Sequence, residues 1–366
     1  MNYVTKLAAL MCDYSLKIKK DDLVMIRGAE CASPLIKACF QEILKRGAHP
    51  LVRMSFSGQN AAFFKYGSEH QFTYVAEVDK LQAETVTAQI AIDSTDNTKE
   101  LTSADSASVA KQQKVRGDLR EVMFAREEKG EFSWILAPFP TPAMAQEAEM
   151  SFEEYEDFVY TACKLKEADP LAAWQEVDHF QQKIVKQLTG ASTVHISGKH
   201  TDLTLGVIGR RWKSCAGDRN LPDGEVFTSP VEDTATGQIY FDLPTNYNGV
   251  EAKGILLRLE KGKVIEAKAE KGEDFLLKML DTDEGARFVG EIAFGLNNNI
   301  TKPTGNILFD EKIGRTMHMA VGASYPETGG KNKSALHWDL IKDMKDDGAV
   351  KVDGKLIYKN GDFVFK

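Results

Sequence analysis

The spacing of apolar residues changes character near residue 190, and this change constrains the fold more than any single motif does. Before it, short apolar runs of strand length alternate with helical segments; such runs are D-L-V-M-I-R (22–27), A-Q-I-A-I-D (88–93) and W-I-L-A-P-F (134–139). Strands that alternate with helices build parallel sheets, because two parallel strands need a long crossover connection. We therefore predict a doubly wound α/β domain with a largely parallel sheet over residues 1–190.

Helix signals separate these runs. Ser33 and Pro34 predict the start of a helix that Gly47 ends. One helix is predicted near residues 60–79, and charged helices are predicted near 105–128, 142–165 and 170–188. No G-x-G-x-x-G follows a strand and no phosphate-binding loop motif is present. This argues against an oxidoreductase that uses a dinucleotide.

After residue 190 the sequence is typical of short strands joined by turns. Examples are S-T-V-H-I-S-G (192–198) and G-I-L-L-R-L-E (254–260). Near the C-terminus, Asp-Gly (353–354) and Asn-Gly (360–361) separate alternating strands, which is a strong hairpin signal. We predict a β-rich α+β domain over residues 191–366.

Side chains that bind metal ions recur in this second half at positions where the pattern calls for core residues. The segment S-A-L-H-W-D-L (334–340) alternates as a strand does. Leu336, Trp338 and Leu340 therefore lie on one face, and His337 and Asp339 lie together on the other.

A further acid lies inside an apolar strand, V-G-E-I-A-F-G-L (289–296). The alternation places Glu291 on a face with Val289 and Ala293. A carboxylate there costs several kcal/mol unless a cation or hydrogen bonds compensate its charge. Glu225 follows a Pro-Asp-Gly turn, where the local pattern is that of a solvated turn acid. Hydrogen bonds would satisfy any one such group, but several together favour a site for zinc, cobalt or manganese.

Composition excludes several classes of partner. Lys and Arg number 46 against 54 Asp and Glu, the net charge is −8, and no basic run is present, so we expect no nucleic-acid partner. No segment approaches the roughly 18 apolar residues of a membrane span. The N-terminus reads as a helix and not as a signal peptide. The five cysteines are scattered and form no C-x-x-C pair, which favours reduced thiols and a cytoplasmic location.

Five motifs between residues 220 and 340 resemble, in this order, those of the thermophilic-aminopeptidase family of metallopeptidases. They are N-L-P-D-G-E-V-F-T-S-P (220–230), V-G-E-I-A-F (289–294), L-F-D-E (308–311), H-M-A-V-G-A-S-Y (318–325) and S-A-L-H-W-D (334–339). The resemblance extends over the whole chain in length and domain order.

This resemblance implies a metal-dependent aminopeptidase that cuts N-terminal residues from short peptides and acts as a homodimer. It implies two divalent metal ions per subunit (zinc, cobalt, manganese or magnesium) that activate a water. The implied metal ligands are Glu225, Glu291, His318, Tyr325, His337 and Asp339.

Glu291 and Glu311 are the candidate catalytic bases, of which we favour Glu291, and Glu311 is either a base or a ligand. We hypothesise that Asp339 bridges the two ions. The alternative to an enzyme is a catalytically inactive metal- or peptide-binding protein of the same fold.

Overall fold

The computed structural model describes residues 2–247 and 249–365, which form two compact units. The first unit is the chain up to Leu171 together with Gly217–Leu221, and the second is Ala172–Ala216 together with the residues from Pro222 onward. The division into independent domains near residue 190 stays a prediction.

The first unit alternates helices and strands. Its helices are α1 (Tyr3–Leu10), α2 (Ser33–Lys45), α3 (Gln59–Tyr66), α4 (Glu69–Phe72), α5 (Glu77–Thr85), α6 (Ser106–Glu128), α7 (Pro142–Glu147) and α8 (Phe152–Ala162), and its strands are β1 (Leu23–Ala29), β2 (His49–Ser55), β3 (Ala88–Asp93) and β4 (Ser133–Pro138). The strands form one parallel sheet in the order β2-β1-β3-β4. Val24 and Ile26 of β1 and Ile90 of β3 are fully buried. The predicted α/β arrangement is confirmed.

The prediction of one helix over residues 60–79 is wrong, because local capping divides it into α3, α4 and α5. Gly67 ends α3 with an extended backbone, at φ −76° and ψ 164°. Ser68 and Gln71 then form a capping box that begins α4. The segment 142–165 is divided in the same way, since Ser151 and Glu154 form a capping box at the start of α8.

The second unit is rich in strands, as predicted. Its helices are α9 (Pro170–Leu188), α10 (Glu273–Leu280) and α11 (Ile307–Asp310), and its strands are β5 (Thr193–Gly198), β6 (Thr201–Gly206), β7 (Lys213–Cys215), β8 (Glu225–Thr228), β9 (Thr236–Phe241), β10 (Thr245–Tyr247), β11 (Val250–Ala252), β12 (Ile255–Glu260), β13 (Lys263–Lys268), β14 (Val289–Gly295), β15 (Thr316–Gly322), β16 (His337–Asp343), β17 (Ala349–Val352), β18 (Lys355–Lys359) and β19 (Asp362–Phe363).

Two antiparallel sheets organise this unit. One has eight strands in the order β13-β12-β9-β6-β5-β17-β18-β19, and the other has five in the order β16-β15-β14-β8-β7. The predicted hairpins are confirmed: Asp353 and Gly354 join β17 to β18, and Asn360 and Gly361 join β18 to β19, all four with positive φ.

The five-stranded sheet has one apolar face, which packs into the core of the second unit. This face carries, among others, Val226, Ile292, Phe294, Met319 and Trp338. Its opposite face is therefore left for polar side chains. Within the described residues, no helix has the length and apolar character needed to cross a bilayer.

Candidate metal centre

Five of the predicted ligands project from the polar face of the five-stranded sheet. The pairing of the strands places Glu225 opposite Gly295 and His318 opposite Ala293. Ala320 lies between Glu291 and Asp339, and Gly322 lies opposite His337. Side chains of directly paired residues share a face. Residues more than 110 positions apart in the sequence thus meet on one surface.

Each of these ligand candidates has a small residue beside it on the next strand. Ala293, Gly295, Ala320 and Gly322 fill the cross-strand positions where larger side chains would occupy the same space. Glu225, Glu291, His318 and Asp339 nevertheless expose 6%, 4%, 2% and 6% of their surface. The small residues therefore leave the space on this face of the sheet to the buried acids and imidazoles.

The strand alternation holds for β16 but is interrupted in β14. His337 and Asp339 share the polar face as predicted. Val289, however, pairs with Val321 on the core face, while Glu291 pairs with Ala320, so the predicted sharing of one face by Val289 and Glu291 is wrong. The cause is a bulge between these two residues at Gly290.

The first group of donor atoms comes from Glu225, Glu291 and His318, whose ligand atoms all lie within 4.8 Å of one another. Nε2 of His318 lies 3.4 Å from Oε2 of Glu225 and 3.8 Å from Oε1 of Glu291. Glu225 is buried, so the interpretation of this residue as a solvated turn acid, which rested on the local pattern, is wrong.

The second group consists of Glu291, His337 and Asp339, again within 4.8 Å. Nε2 of His337 lies 3.3 Å from Oε2 of Glu291 and 3.7 Å from Oδ1 of Asp339. Nδ1 of His337 donates to the carbonyl oxygen of Ala323 at 2.9 Å, since that oxygen can only accept. This bond fixes the ring and turns Nε2 toward the carboxylates, as in many histidine ligands.

Tyr325 and Glu311 lie at the edge of these groups. The hydroxyl of Tyr325 is 3.4 Å from Nε2 of His337, and the residue exposes 39% of its surface. Glu311 follows α11 and forms a third group within 4.8 Å together with His318 and Asp339. Asp310, just before it, is buried and accepts hydrogen bonds from Thr304, which anchors the segment.

No sequence pattern singles out Lys312, yet its ammonium group lies in the site. The residue exposes 1% of its surface, and Nζ is 2.9 Å from Oε1 of Glu225 and also pairs with the carboxylate of Glu311. Cys215 and Asp223 are the other residues that local pattern did not indicate; both lie within 4.8 Å of Glu225. Cys215 is the direct cross-strand partner of Glu225, which only the strand pairing reveals.

Protons balance the charge of the metal-free site. Burial would lower the pKa of His318 and His337, but the surrounding carboxylates outweigh it and raise these pKa values to about 9 and about 10. Burial also opposes ionisation of Glu291, yet the two imidazoles lower its pKa to about 2. Burial raises the pKa of Asp339 to about 7 and raises that of Glu225. A cation that binds His318 or His337 must displace a proton from the imidazole ring.

The donor set fits divalent cations. Oε2 of Glu225, Oδ1 of Asp339 and Nδ1 of His318 are buried without a hydrogen-bond partner among the described residues. Ligands at roughly 2.0–2.1 Å from one zinc ion in a tetrahedral site are about 3.3–3.4 Å apart. The shortest imidazole-to-carboxylate distances in the two groups, 3.4 Å and 3.3 Å, match this spacing.

Comparison with known proteins finds relatives of this chain in both sequence and structure. The sequence profile of the thermophilic metalloprotease (M29) family matches residues 2–363. Aminopeptidase T of Thermus thermophilus is 31% identical over 260 residues, which are 63% of this chain and 62% of that protein. Aminopeptidase 2 of Geobacillus stearothermophilus is 31% identical over 278 residues, which are 64% of this chain and 65% of that protein. The matched segment therefore spans less than two thirds of the length of these relatives.

The solved structure of wild-type AmpT from Thermus thermophilus is similar over almost the entire fold. It superimposes with a TM-score of 0.86 at 25% identity and covers 99% of both chains. This likeness confirms the predicted fold class, with a parallel sheet in the N-terminal half and antiparallel sheets after it.

Proposed function

The chain belongs to the thermophilic metalloprotease (M29) family, and from this premise we propose that it is a metal-dependent aminopeptidase acting on short peptides. The observation that carries the proposal is the convergence of two imidazoles and three buried carboxylates on one sheet face, where one oxygen each of Glu225 and Asp339 has no hydrogen-bond partner among the described residues. The names of the relatives, aminopeptidase T and aminopeptidase 2, indicate the reaction.

We propose that the two donor groups hold two ions. Glu225 and His318 would bind one ion, His337 and Asp339 the other, and Glu291, which belongs to both groups, would contribute to each. Asp339 also approaches His318, at 4.0 Å, so the proposed bridging by Asp339 accords with its position. Tyr325 would complete the second set through its hydroxyl. When bound, such ions activate a water, polarise the scissile carbonyl and orient a substrate through its free α-amine.

Glu311 and Glu291 are the proposed proton carriers. Both oxygens of Glu291 face imidazoles, at 3.8 and 3.3 Å, which favours a ligand role for this residue. Glu311 is the less buried of the two, with 17% of its side chain exposed, and it lies beside His318 and Asp339. We therefore assign to Glu311 the transfer of a proton from water to the leaving amine. Lys312 holds this carboxylate in place.

A chelation experiment tests the function. The purified protein is dialysed against EDTA and assayed on Leu-p-nitroanilide and on short peptides, and zinc, cobalt, manganese or magnesium is then added. Loss of hydrolysis with chelator and its return with a divalent ion are expected. Hydrolysis that is indifferent to EDTA refutes the proposal, and metal or peptide binding without turnover would establish the inactive binding protein in its place.

His337→Ala tests the ligand set. The variant should lose at least about 100-fold in kcat/KM and bind less metal, because His337 supplies a ligand atom. The matched control is His195→Ala, since His195 pairs with Asp202 in the eight-stranded sheet and should leave activity unchanged. Full activity of a folded His337→Ala protein would contradict the assignment.

The homodimer and the cytoplasmic location stay predictions from the family resemblance and the sequence. Size-exclusion chromatography with light scattering tests the first, and cell fractionation tests the second. A monomer at micromolar concentration would end the dimer prediction without affecting the metal site.

A further inference from the structure

A groove in the first unit lies at the carboxyl ends of its parallel strands. In the strand order β2-β1-β3-β4, the connection after β1 leads to β2 on one side of β1. The connection after β2 then leads to β3 on the other side of β1. In open α/β sheets, ligands bind where the order reverses in this way. The groove is about 750 Å³ in volume and is bounded by the ends of β1, β2 and β3 and by helices α3, α5 and α6.

Four guanidinium groups line this groove, with one carboxylate among them. Arg27 and Arg53 are direct partners on β1 and β2, so their side chains leave the same face of the sheet, roughly 4.8 Å apart at the backbone. Arg116 and Arg120 reach the groove from α6. Asp79 is the acidic residue of the lining. This excess of positive charge occurs in a chain whose net charge is −8.

The charges inside the groove are poorly compensated. Asp79 lies 3.4 Å from Arg116 and 3.7 Å from Arg53. Among the residues that the structure describes, Arg27 and Arg120 have neither an ion pair nor a side-chain hydrogen bond. All four arginine residues remain accessible to solvent. Partial desolvation and the nearby guanidinium groups of Arg116 and Arg53 outweigh the opposing charge of Asp79 and lower the pKa of Arg27. Like charges held together without a counter-ion are costly unless an anion joins them.

The remaining walls suit an organic group. Oγ of Ser94, which follows β3, is buried without a hydrogen-bond partner among the described residues. Neutral amides and apolar side chains complete the lining; they include Gln59, Asn60, Gln112, Phe63 and Met123. The volume lies within the usual range for small-molecule sites, about 300–1,000 Å³.

We propose that this groove binds a small organic phosphate, with the phosphate held by Arg27, Arg53 and Arg120. An arginine guanidinium group can donate two parallel hydrogen bonds to phosphate oxygens. Four guanidinium groups around the single carboxylate of Asp79 are more than an ion pair with that carboxylate requires. Phe63 and Met123 would cover the organic part. The residues that line the groove all belong to the first unit, and none of them is a residue of the metal centre, whose residues all belong to the second.

Isothermal titration calorimetry tests the proposal with three probes at matched NaCl: inorganic phosphate, adenosine monophosphate and adenosine. Saturable binding of both phosphate probes is expected, with adenosine monophosphate the tighter of the two, and no binding of adenosine. No saturable binding of either phosphate probe at millimolar concentration would overturn the proposal, as would adenosine binding as tightly as its monophosphate.

Charge-removing variants locate the site. Arg27→Gln and Arg120→Gln should each weaken phosphate binding roughly ten- to hundredfold, since each removes charge-assisted hydrogen bonds. Lys114→Gln is the control, because Lys114 is exposed on the same helix as Arg120 but does not line the groove. Melting curves verify that the variants fold. Wild-type affinity in both arginine variants would refute the site, whatever the outcome of the peptidase assays.

Discussion

At the scale of single residues, Lys312 is the side chain whose role is least visible in the sequence. It stands in D-E-K-I-G, which is typical of a charged surface loop. In the fold its ammonium group is almost wholly buried between Glu225 and Glu311. A buried cation in a cluster of acids supplies charge that metal ions would otherwise supply alone, and it keeps the acids together before metal arrives.

Replacing Lys312 by methionine should therefore destabilise the metal-free protein far more than the metal-loaded one. We expect a loss of about 3–5 kcal/mol in EDTA, because buried carboxylates lose their partner, and a smaller loss with zinc. Urea unfolding in both conditions measures it. Lys342→Met is the matched control, since Lys342 is also fully buried but bonds to the carbonyl oxygen of Tyr240. An equal loss for Lys312→Met with and without zinc would contradict this role.

At the scale of elements, the sequence predicts individual strands and the hairpins between neighbouring strands, but not the register between strands that are distant in the sequence. The alternation of His337, Trp338 and Asp339 is a local property, so the faces of β16 could be predicted. The bulge at Gly290 could not be predicted, because it depends on the close approach of Ala323 from another segment. The same holds for Cys215, whose position beside Glu225 follows only from strand register.

Gly290→Ala should disturb the site through this bulge. A Cβ atom at residue 290 would lie 2.1 Å from the carbonyl oxygen of Ala323 and 2.6 Å from that of Gly322, so backbone must move. We expect a loss of about 3 kcal/mol in stability and reduced metal content, because Glu291 is the next residue. Gly117→Ala in α6 is the control: the added methyl group meets only Arg120 at 3.9 Å, and it should stabilise by about 0.5–1 kcal/mol. A metal content equal to wild type for Gly290→Ala would argue against a role for the bulge in placing Glu291.

The hairpin between β17 and β18 gives a pH-dependent prediction at the same scale. Asp353 accepts hydrogen bonds from the backbone N–H groups of Thr193 and Ser192, and these bonds lower its pKa. A lowered pKa in the folded state adds stability that is present above the unfolded pKa of about 3.9 and is lost as the pH falls through the folded value.

Asp353→Asn should accordingly cost about 1 kcal/mol near pH 7, a small value because the carboxylate is exposed. The difference from wild type should shrink as the pH falls below about 4. Urea midpoints from pH 3 to pH 7 measure it. A difference that stays constant across this range would show that the charge of Asp353 is not involved.

At the scale of the whole molecule, the spacing of apolar runs and turn residues along the chain predicted the fold class, because the strand–helix alternation and the later hairpins are each set by local pattern. The convergence of Glu225, Glu291 and His337 could be predicted only through the family resemblance, since it depends on long-range register. The groove of Arg27 and Arg53 had no motif to reveal it, because it results from two parallel strands placed side by side.

Removing metal should lower the stability of the protein as a whole. Ligands that bind only the folded state add RT ln(1 + [L]/Kd), or about 2.7 kcal/mol at a hundredfold excess over Kd. Dialysis against EDTA should lower the melting temperature, zinc should restore it, and Glu291→Gln should abolish most of the difference. A melting temperature that is unaffected by chelator and by added zinc would show that the folded state binds no ion there.

We expect the polar face of the five-stranded sheet to hold divalent cations. Anomalous X-ray diffraction from crystals of the zinc-loaded protein, collected on both sides of the zinc absorption edge, tests it most directly. We expect one peak among Glu225, Glu291 and His318 and a second among Glu291, His337 and Asp339. Zinc peaks located elsewhere, with none on this face, would contradict it.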